Sequence, residues 1–131
     1  MQLERRLDAA APHCLSVLRI MSGLLFLAHG TQKILGFPAS DKAPSLLSLS
    51  GIAGMFELVG GTLLVLGLFT RPVAFLCSGV MAFAYFIAHA PRSFFPVLNG
   101  GDAAILYCFV FLYLVFAGPG PCSLDARQGR A

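Results

Sequence analysis

Apolar residues dominate the chain in four long runs, separated by short segments rich in Gly, Pro and polar residues. The runs extend over about residues 14–35, 46–69, 72–90 and 100–117. A membrane-spanning helix needs about 20 predominantly apolar residues, in a range of roughly 17–25. Transmembrane strands would instead alternate over about 10 residues, whereas these runs are continuously apolar. The pattern therefore predicts an all-α fold, a transmembrane four-helix bundle.

Polar residues at the ends of the runs indicate where helices begin. Thr70 is placed to cap the third helix, and Asp102 stands where an acid favours a helix N-terminus. We expect residues 1–13 to form a short polar lead, with the first run as a permanent helix rather than a cleaved signal peptide. The runs leave no room for a separate soluble domain, so we expect one domain over residues 1–131.

The high hydrophobic and low charged fractions of the chain indicate a protein embedded in the lipid bilayer. The chain is 57% hydrophobic and 11% charged, whereas an ordinary soluble domain carries about 25% charged residues. So few charges cannot cover a water-facing surface, and the lipid bilayer is the first partner to expect. The formal net charge is only +3, and its basic residues are scattered at the ends of the runs. That scatter favours membrane anchoring and excludes a nucleic-acid patch.

The four cysteines are spread one to a segment, with no C-x-x-C pair: Cys14, Cys77, Cys108 and Cys122. Disulfide exchange in a membrane oxidoreductase needs paired thiols. We therefore interpret these cysteines as small apolar packing residues.

Orientation follows from the Lys and Arg residues near the ends of the spans. With four spans, the termini and the middle turn share one side, which holds five basic residues: Arg5, Arg6, Arg71, Arg127 and Arg130. The other side holds three at most, which are Lys33, Lys42 and Arg92. We predict that both termini are cytoplasmic.

Five ionisable side chains lie inside or at the rims of the apolar runs: His29, Lys33, Glu57, His89 and Asp102. A charge at the bilayer centre costs about 2.5–3.5 kcal/mol on insertion scales, so such residues persist when they pair or carry function. The predicted topology places all five in the outer half, with Glu57 about 9 Å beyond Gly51 at 1.5 Å per residue. The sequence therefore predicts one polar cluster in that half.

Within this cluster each residue has a candidate role and an alternative. Glu57 would be a buried acid or base with Lys33 as its counter-ion; alternatively the two form a structural ion pair, or Lys33 extends to the interface. His29 and His89 would hydrogen-bond a ligand or relay protons. They could also bind a metal ion with Glu57 and Asp102, or be plain interfacial histidines.

The remaining polar residues divide between the mouth of the site and the opposite end. Tyr85, Asn99 and Asp102 are candidates for ligand binding, although interfacial or packing tyrosines are common. Arg19 and Asp125 are interpreted as structural charges. Arg19 would either reach phosphates of the inner leaflet or pair with Asp125.

Short motifs along almost the whole chain, about residues 15–126, resemble the DoxX family of small bacterial membrane proteins. They are Arg19…Gly23…Phe26…His29-Gly30…Lys33, then Glu57…Gly60-Gly61…Thr70-Arg71, then His89…Asn99-Gly100-Gly101, then Gly118-Pro119-Gly120…Ser123-Leu124-Asp125. Two positions depart from the family pattern, because Asp102 stands where a Glu is usual and Cys122 where an aromatic residue is usual.

The resemblance implies a four-helix bundle in the bacterial inner membrane. Relatives of this family include the membrane subunit of a thiosulfate:quinone oxidoreductase, and some members are linked to complexes that manage thiol and oxidative stress. The leading hypothesis is therefore a small-molecule site used in redox chemistry with a quinone or a sulfur compound. Two alternatives are a non-catalytic scaffold that docks a redox partner protein and a small proton-coupled transporter acting as a homo-oligomer.

Overall fold

A computed structural model describes residues 1–41 and 45–130, and the regular structure within these residues is helical. The described residues contain four long helices, α1, α2, α3 and α5, with the single turn α4 before α5 and the single turn α6 after it. In chain order the helices are α1 Gln2–Leu35, α2 Leu49–Leu66, α3 Thr70–Ala84, α4 Pro96–Asn99, α5 Asp102–Ala117 and α6 Leu124–Arg127. Lys42, which contributes to the predicted orientation, lies outside the described residues.

The all-α membrane fold is confirmed. Three helical segments are long and apolar enough to cross a membrane, namely α1, α2 and the stretch Thr70–Arg92. The fourth, α5, is apolar but has 16 residues, which is slightly below the usual length of a span. We call the end that carries the α1–α2 connection and α4 the loop end, and the end that carries the α2–α3 turn and the C-terminal residues the tail end.

The first helix is much longer than its apolar run. It begins at Gln2, so the expectation of a polar lead before residue 14 is wrong. Ala, Leu, Glu and Arg are strong helix formers and fill this segment. Its 34 residues extend about 51 Å at 1.5 Å per residue, well beyond the roughly 30 Å hydrocarbon core. Residues 1–14 are exposed and project from the tail end.

The second helix is shorter than the predicted range 46–69. Ser48 caps it, because its hydroxyl accepts a hydrogen bond from the Gly51 N–H at 3.1 Å. Gly67 ends it in the left-handed conformation, with φ of 66°, where a residue without a Cβ is least strained.

The third helix begins at Thr70 without the predicted Thr70 cap. The carboxylate of Asp125 caps it instead, accepting hydrogen bonds from the N–H groups of Phe69 at 2.9 Å and Thr70 at 2.8 Å. Beyond Ala84 the helix continues as a π-helical turn over Tyr85–His89 and a 3₁₀ turn over Ala90–Arg92.

Helices α1 and α2 pack along each other through glycines. A Cβ added at Gly30 would lie 2.3 Å from the backbone nitrogen of Leu58, and one added at Gly61 would lie 2.8 Å from the Cα of Leu27. Small residues allow membrane helices this close approach. On the other side of the bundle α3 packs along α5. All four long helices contribute to the buried core, which consists of Phe26, Leu64, Ala74, Cys77, Met81, Ala104, Phe111 and Leu114.

Two of the four cysteines depart from the predicted packing role. Cys77 is buried in the core and Cys108 is partly buried, but Cys14 and Cys122 are exposed. Both exposed cysteines lie at the tail end, outside the packed helix faces.

Candidate functional site

An ion pair joins the first two helices. Lys33 Nζ lies 2.7 Å from Glu57 Oε1, and the two side chains are 26% and 5% exposed. Gly54 makes room for the lysine, since a Cβ there would lie 2.9 Å from the Cβ of Lys33. The ammonium group therefore turns toward the carboxylate rather than extending to the interface. The predicted contact between Lys33 and Glu57 is present in the structure.

Glu57 lies close to the middle of α2. It is eight residues from Leu49 and nine from Leu66, or about 12 Å and 13.5 Å along the helix. It therefore lies just on the loop-end side of the midpoint of α2, and its predicted place in the outer half of the membrane stays a prediction. Its second oxygen, Oε2, is buried and has no hydrogen-bond partner within the described part of the chain.

A cavity of about 630 Å³ opens beside this pair, between the loop-end halves of α2 and α3. Its polar lining comes from Lys33, Ser50, His89 and Arg92. Its walls are largely apolar and include Ile52, Ala53, Val80, Phe83 and Ile87. Lys33 and His89, predicted from separate helices, thus meet at one cavity, and Glu57 stands directly behind Lys33.

The ring of His89 is held by the turn that follows it. Its Nδ1 lies 3.1 Å from the carbonyl oxygen of Asn99. Because a carbonyl only accepts, Nδ1 must carry the proton of this hydrogen bond. In the neutral ring the other nitrogen, Nε2, is then an acceptor, and in the protonated ring it is a donor.

Asn99 and Tyr85 hydrogen-bond to each other, and Asn99 also bonds the backbone on both sides of α4. The Asn99 amide donates to the carbonyl of Ser93 at 2.9 Å and to the Tyr85 hydroxyl at 3.4 Å, and its oxygen accepts from the Gly101 N–H at 2.8 Å. The Tyr85 ring packs against Gly101, where an added Cβ would lie 2.6 Å from it. Neither side chain lines the cavity. Of the two, Asn99 contacts His89, through its main-chain carbonyl, and the ligand-binding role of both residues stays a prediction.

The structure does not bring His29 and Asp102 into the cavity. His29 is exposed, and its ring packs edge-on against Tyr107 of α5, with 6.2 Å between the ring centroids. Asp102 is exposed in the first turn of α5. Among residues 1–41 and 45–130, no three His, Cys, Asp or Glu side chains are grouped closely enough to hold a metal ion.

Arg19 serves the tail end of the bundle. Its fully buried guanidinium donates to the carbonyls of Pro119 at 2.7 Å and Val65 at 2.8 Å, and also to those of Leu64 and Cys122. The last carbonyls of a helix have no intrahelical partner and carry partial negative charge, so the end of α2 attracts this cation. Within residues 1–41 and 45–130 Arg19 makes no direct ion pair with Asp125, although the two charges attract each other, and its contact with inner-leaflet phosphates stays a prediction.

Asp125 acts as a structural charge through its caps on α3. Burial by itself would raise the pKa of this carboxyl. The hydrogen bonds from the Thr70 and Phe69 N–H groups, together with the positive charge of Arg130, lower the pKa below its ordinary value. The ionised carboxylate is therefore the form that the fold stabilises.

Two arginines have contacts that the sequence analysis did not predict. Arg92 lines the cavity, and Arg71 donates two hydrogen bonds of 2.7 Å to the carbonyls of Val115 and Phe116 at the end of α5. The only signal for Arg92 was its position three residues after His89, which on a helix places two residues on one face.

Comparisons with known proteins agree with this fold. A family model described as DoxX matches residues 14–90. An uncharacterized protein of Haemophilus influenzae is 46% identical over 131 residues, covering 92% of this chain and 95% of the relative. The inner membrane protein YphA of Escherichia coli is 33% identical over 135 residues, covering 91% and 93%. The uncharacterized membrane protein Rv3486 of Mycobacterium tuberculosis is 29% identical over 143 residues, covering 96% and 88%. No solved structure matches the chain.

Proposed function

The chain belongs to the DoxX family of membrane proteins, and from this premise we propose that its loop-end cavity binds a small amphiphilic molecule taken from the bilayer. The specific ligand that we propose is a quinone, in a redox role linked to sulfur compounds or oxidative stress. The single observation that carries the proposal is the meeting of Lys33 and His89 at one cavity whose walls are largely apolar.

The dimensions and lining of the cavity support such a ligand. Ligand pockets usually measure about 300–1,000 Å³ and combine apolar walls with a few polar groups that fix orientation. This cavity, at about 630 Å³, has its polar groups from the last turn of α1 and from the π and 3₁₀ turns after α3. A molecule with a polar head and an apolar tail matches that division.

Lys33 and His89 supply the hydrogen bonds that a quinone head needs. The ammonium of Lys33 has three N–H donors, of which Glu57 accepts one, so it can also donate to a ligand oxygen. His89 offers Nε2, because Nδ1 already bonds the Asn99 carbonyl. A bound quinone would supply two-electron, two-proton redox chemistry. In that reaction Glu57 would hold or release a proton beside Lys33.

The setting that we propose is a bacterial inner membrane with both termini in the cytoplasm. The relative in Escherichia coli is named an inner membrane protein, and the excess of Arg on the tail side favours that orientation.

A second function, docking of a redox partner protein, is favoured by one observation. The first turns of α1 extend from the tail end, with Leu3 and Leu7 exposed one turn apart. Such a surface could contact a partner at the side opposite the cavity. In that case the cavity would be structural, and loss of residues 2–13 would abolish the activity of the complex.

The direct test is thiosulfate- or sulfide-dependent quinone reduction in membranes that contain the wild type, Glu57→Gln or the exposed control Glu4→Gln. We expect activity in the wild type and the control and its loss in Glu57→Gln at equal expression. Absence of activity in all three would contradict the redox role, and full activity in Glu57→Gln would exclude Glu57 from it.

A further inference from the structure

Lys33 belongs to two structures at once, because it lines the cavity and is also the counter-ion of Glu57. Building on the proposed amphiphile site, we propose that the cavity accepts amphiphiles with an anionic head, and that each anion binds together with one proton, which Glu57 takes up. The head group is a carboxylate, phosphate or sulfonate on an apolar tail.

The charges around the cavity favour an anion. Among the described residues that line it, Lys33 and Arg92 are cationic, His89 can become so, and none is an Asp or Glu. Arg92 makes no ion pair or hydrogen bond within residues 1–41 and 45–130, whereas Lys33 is neutralised by Glu57. The cavity therefore presents uncompensated positive charge beside an apolar wall.

Lys33 is the cation that contacts Glu57. The Glu57 side chain is 5% exposed, its Oε1 contacts Lys33, and its Oε2 has no partner in the described structure. The titratable groups near it on the other helices are Cys77 of α3 and Tyr107 of α5, and neither is cationic at neutral pH. On α1, His29 lies one turn from Lys33 and packs against Tyr107.

An anion that draws the Lys33 ammonium into the cavity leaves a carboxylate without a counter-ion midway along a membrane helix. A buried charge that has lost its partner is strongly destabilised, and a carboxyl in that position becomes neutral by binding a proton. The proton comes from water at the loop end and forms an O–H bond on the Glu57 carboxylate. Charge then balances, because the ion pair with Glu57 is replaced by one with the ligand and one proton enters with one anion.

A neutral head behaves differently. A quinone oxygen can accept one of the Lys33 N–H groups that Glu57 does not use, so the ion pair persists and no proton is needed. Proton uptake therefore separates the two ligand classes at the same cavity.

The experiment uses the full chain in phosphatidylcholine nanodiscs, with 1-decanesulfonate as probe and 1-decanol as matched neutral control. A sulfonate does not titrate near neutral pH, so any proton taken up belongs to the protein. Binding is measured by calorimetry across the neutral range, and protons are counted with an indicator dye in weak buffer. Nanodiscs doped with phosphatidylglycerol test whether a lipid headgroup competes with the free anion.

We expect one proton per bound sulfonate and a Kd that rises about tenfold per pH unit once Glu57 is ionised. Glu57→Gln should bind the sulfonate without proton uptake, whereas the exposed control Glu4→Gln should keep the uptake. An infrared band of a protonated carboxyl should form when the wild type binds the sulfonate, which tests the inference even where Glu57→Gln fails to fold.

Binding of the sulfonate without a proton, or uptake that survives in Glu57→Gln, would overturn the inference and leave the amphiphile site in place. Failure of the sulfonate, the alcohol and a quinone to bind at all would overturn both. If phosphatidylglycerol competes with the sulfonate, the bound anion is a membrane lipid. If phosphatidylglycerol does not compete, the bound anion is a free amphiphile.

Discussion

Replacing Gly30 by Ala tests the helix contact on which the Lys33–Glu57 pair depends. The added Cβ would lie 2.3 Å from the backbone nitrogen of Leu58. Ordinary contacts of a Cβ begin near 3.4 Å, so α1 and α2 must separate by about 1 Å. Backbone atoms cannot move aside as a flexible side chain can. Overpacking of this kind typically costs about 1–3 kcal/mol.

The same separation pulls Lys33 away from Glu57. In the wild type Lys33 Nζ and Glu57 Oε1 lie 2.7 Å apart. We therefore expect Gly30→Ala to lower the free energy of unfolding by about 2–3 kcal/mol and to weaken ligand binding at the cavity. Unfolding is followed by circular dichroism as SDS is added to protein in a mild detergent, and binding is measured in the same samples.

Gly79→Ala is the matched control. Gly79 lies inside α3, and no atom comes within 4 Å of a Cβ built there. The substitution should be neutral or stabilising by up to about 1 kcal/mol, because Ala has the higher helix propensity. A Gly30→Ala variant as stable as the wild type, or an equal loss in both variants, would refute the close contact of α1 and α2.

Three further predictions concern buried charges. Arg19→Met should lower the free energy of unfolding by at least about 3 kcal/mol, because four buried carbonyls lose the cation that donates to them. The control Arg5→Met, in the exposed start of α1, should be as stable as the wild type. Chemical unfolding of both variants measures the difference. Lys33→Met should lower the free energy of unfolding by about 3–5 kcal/mol, because it leaves Glu57 without its counter-ion. Adding Glu57→Gln should recover most of this loss. Losses that simply add in the double variant would contradict the ion pair. Folding lowers the pKa of Asp125, so the ionised carboxylate stabilises the fold. This contribution to the free energy of unfolding is fully present above the ordinary pKa and is lost as the pH falls through the lowered pKa of the folded protein. Asp125→Asn should abolish this acid dependence in thermal unfolding.

The sequence predicted those parts of the molecule that depend on local pattern or on the cost of burying charge. Continuous apolar runs indicated the helices, because a chain in lipid must satisfy its backbone hydrogen bonds internally. The Lys33–Glu57 contact was one of the alternatives that the same physics offered. A carboxylate at such depth requires a cation, and Lys33 lies on the neighbouring helix with a side chain long enough to reach it.

Features that depend on tertiary placement could not be predicted. Arg19 bonds main-chain carbonyls, and every residue has a carbonyl, so no sequence pattern marks its partners. The π-helical turn over Tyr85–His89 adds a residue to one turn and rotates all that follows. Regular periodicity therefore could not show that His89 and Arg92 face the cavity. Nor could it show that His29, on the same stripe as Lys33, packs against α5 instead.

The most direct test of the central claim is the affinity of a short-chain quinone for the protein in nanodiscs, compared between His89→Asn and His29→Asn. Only the first of these histidines lines the cavity. We predict that the wild type binds, that His89→Asn raises the Kd about tenfold, as expected for one lost hydrogen bond, and that His29→Asn leaves it unchanged. No binding to the wild type, or an equal loss in both variants, would contradict the assignment of the cavity as the ligand site.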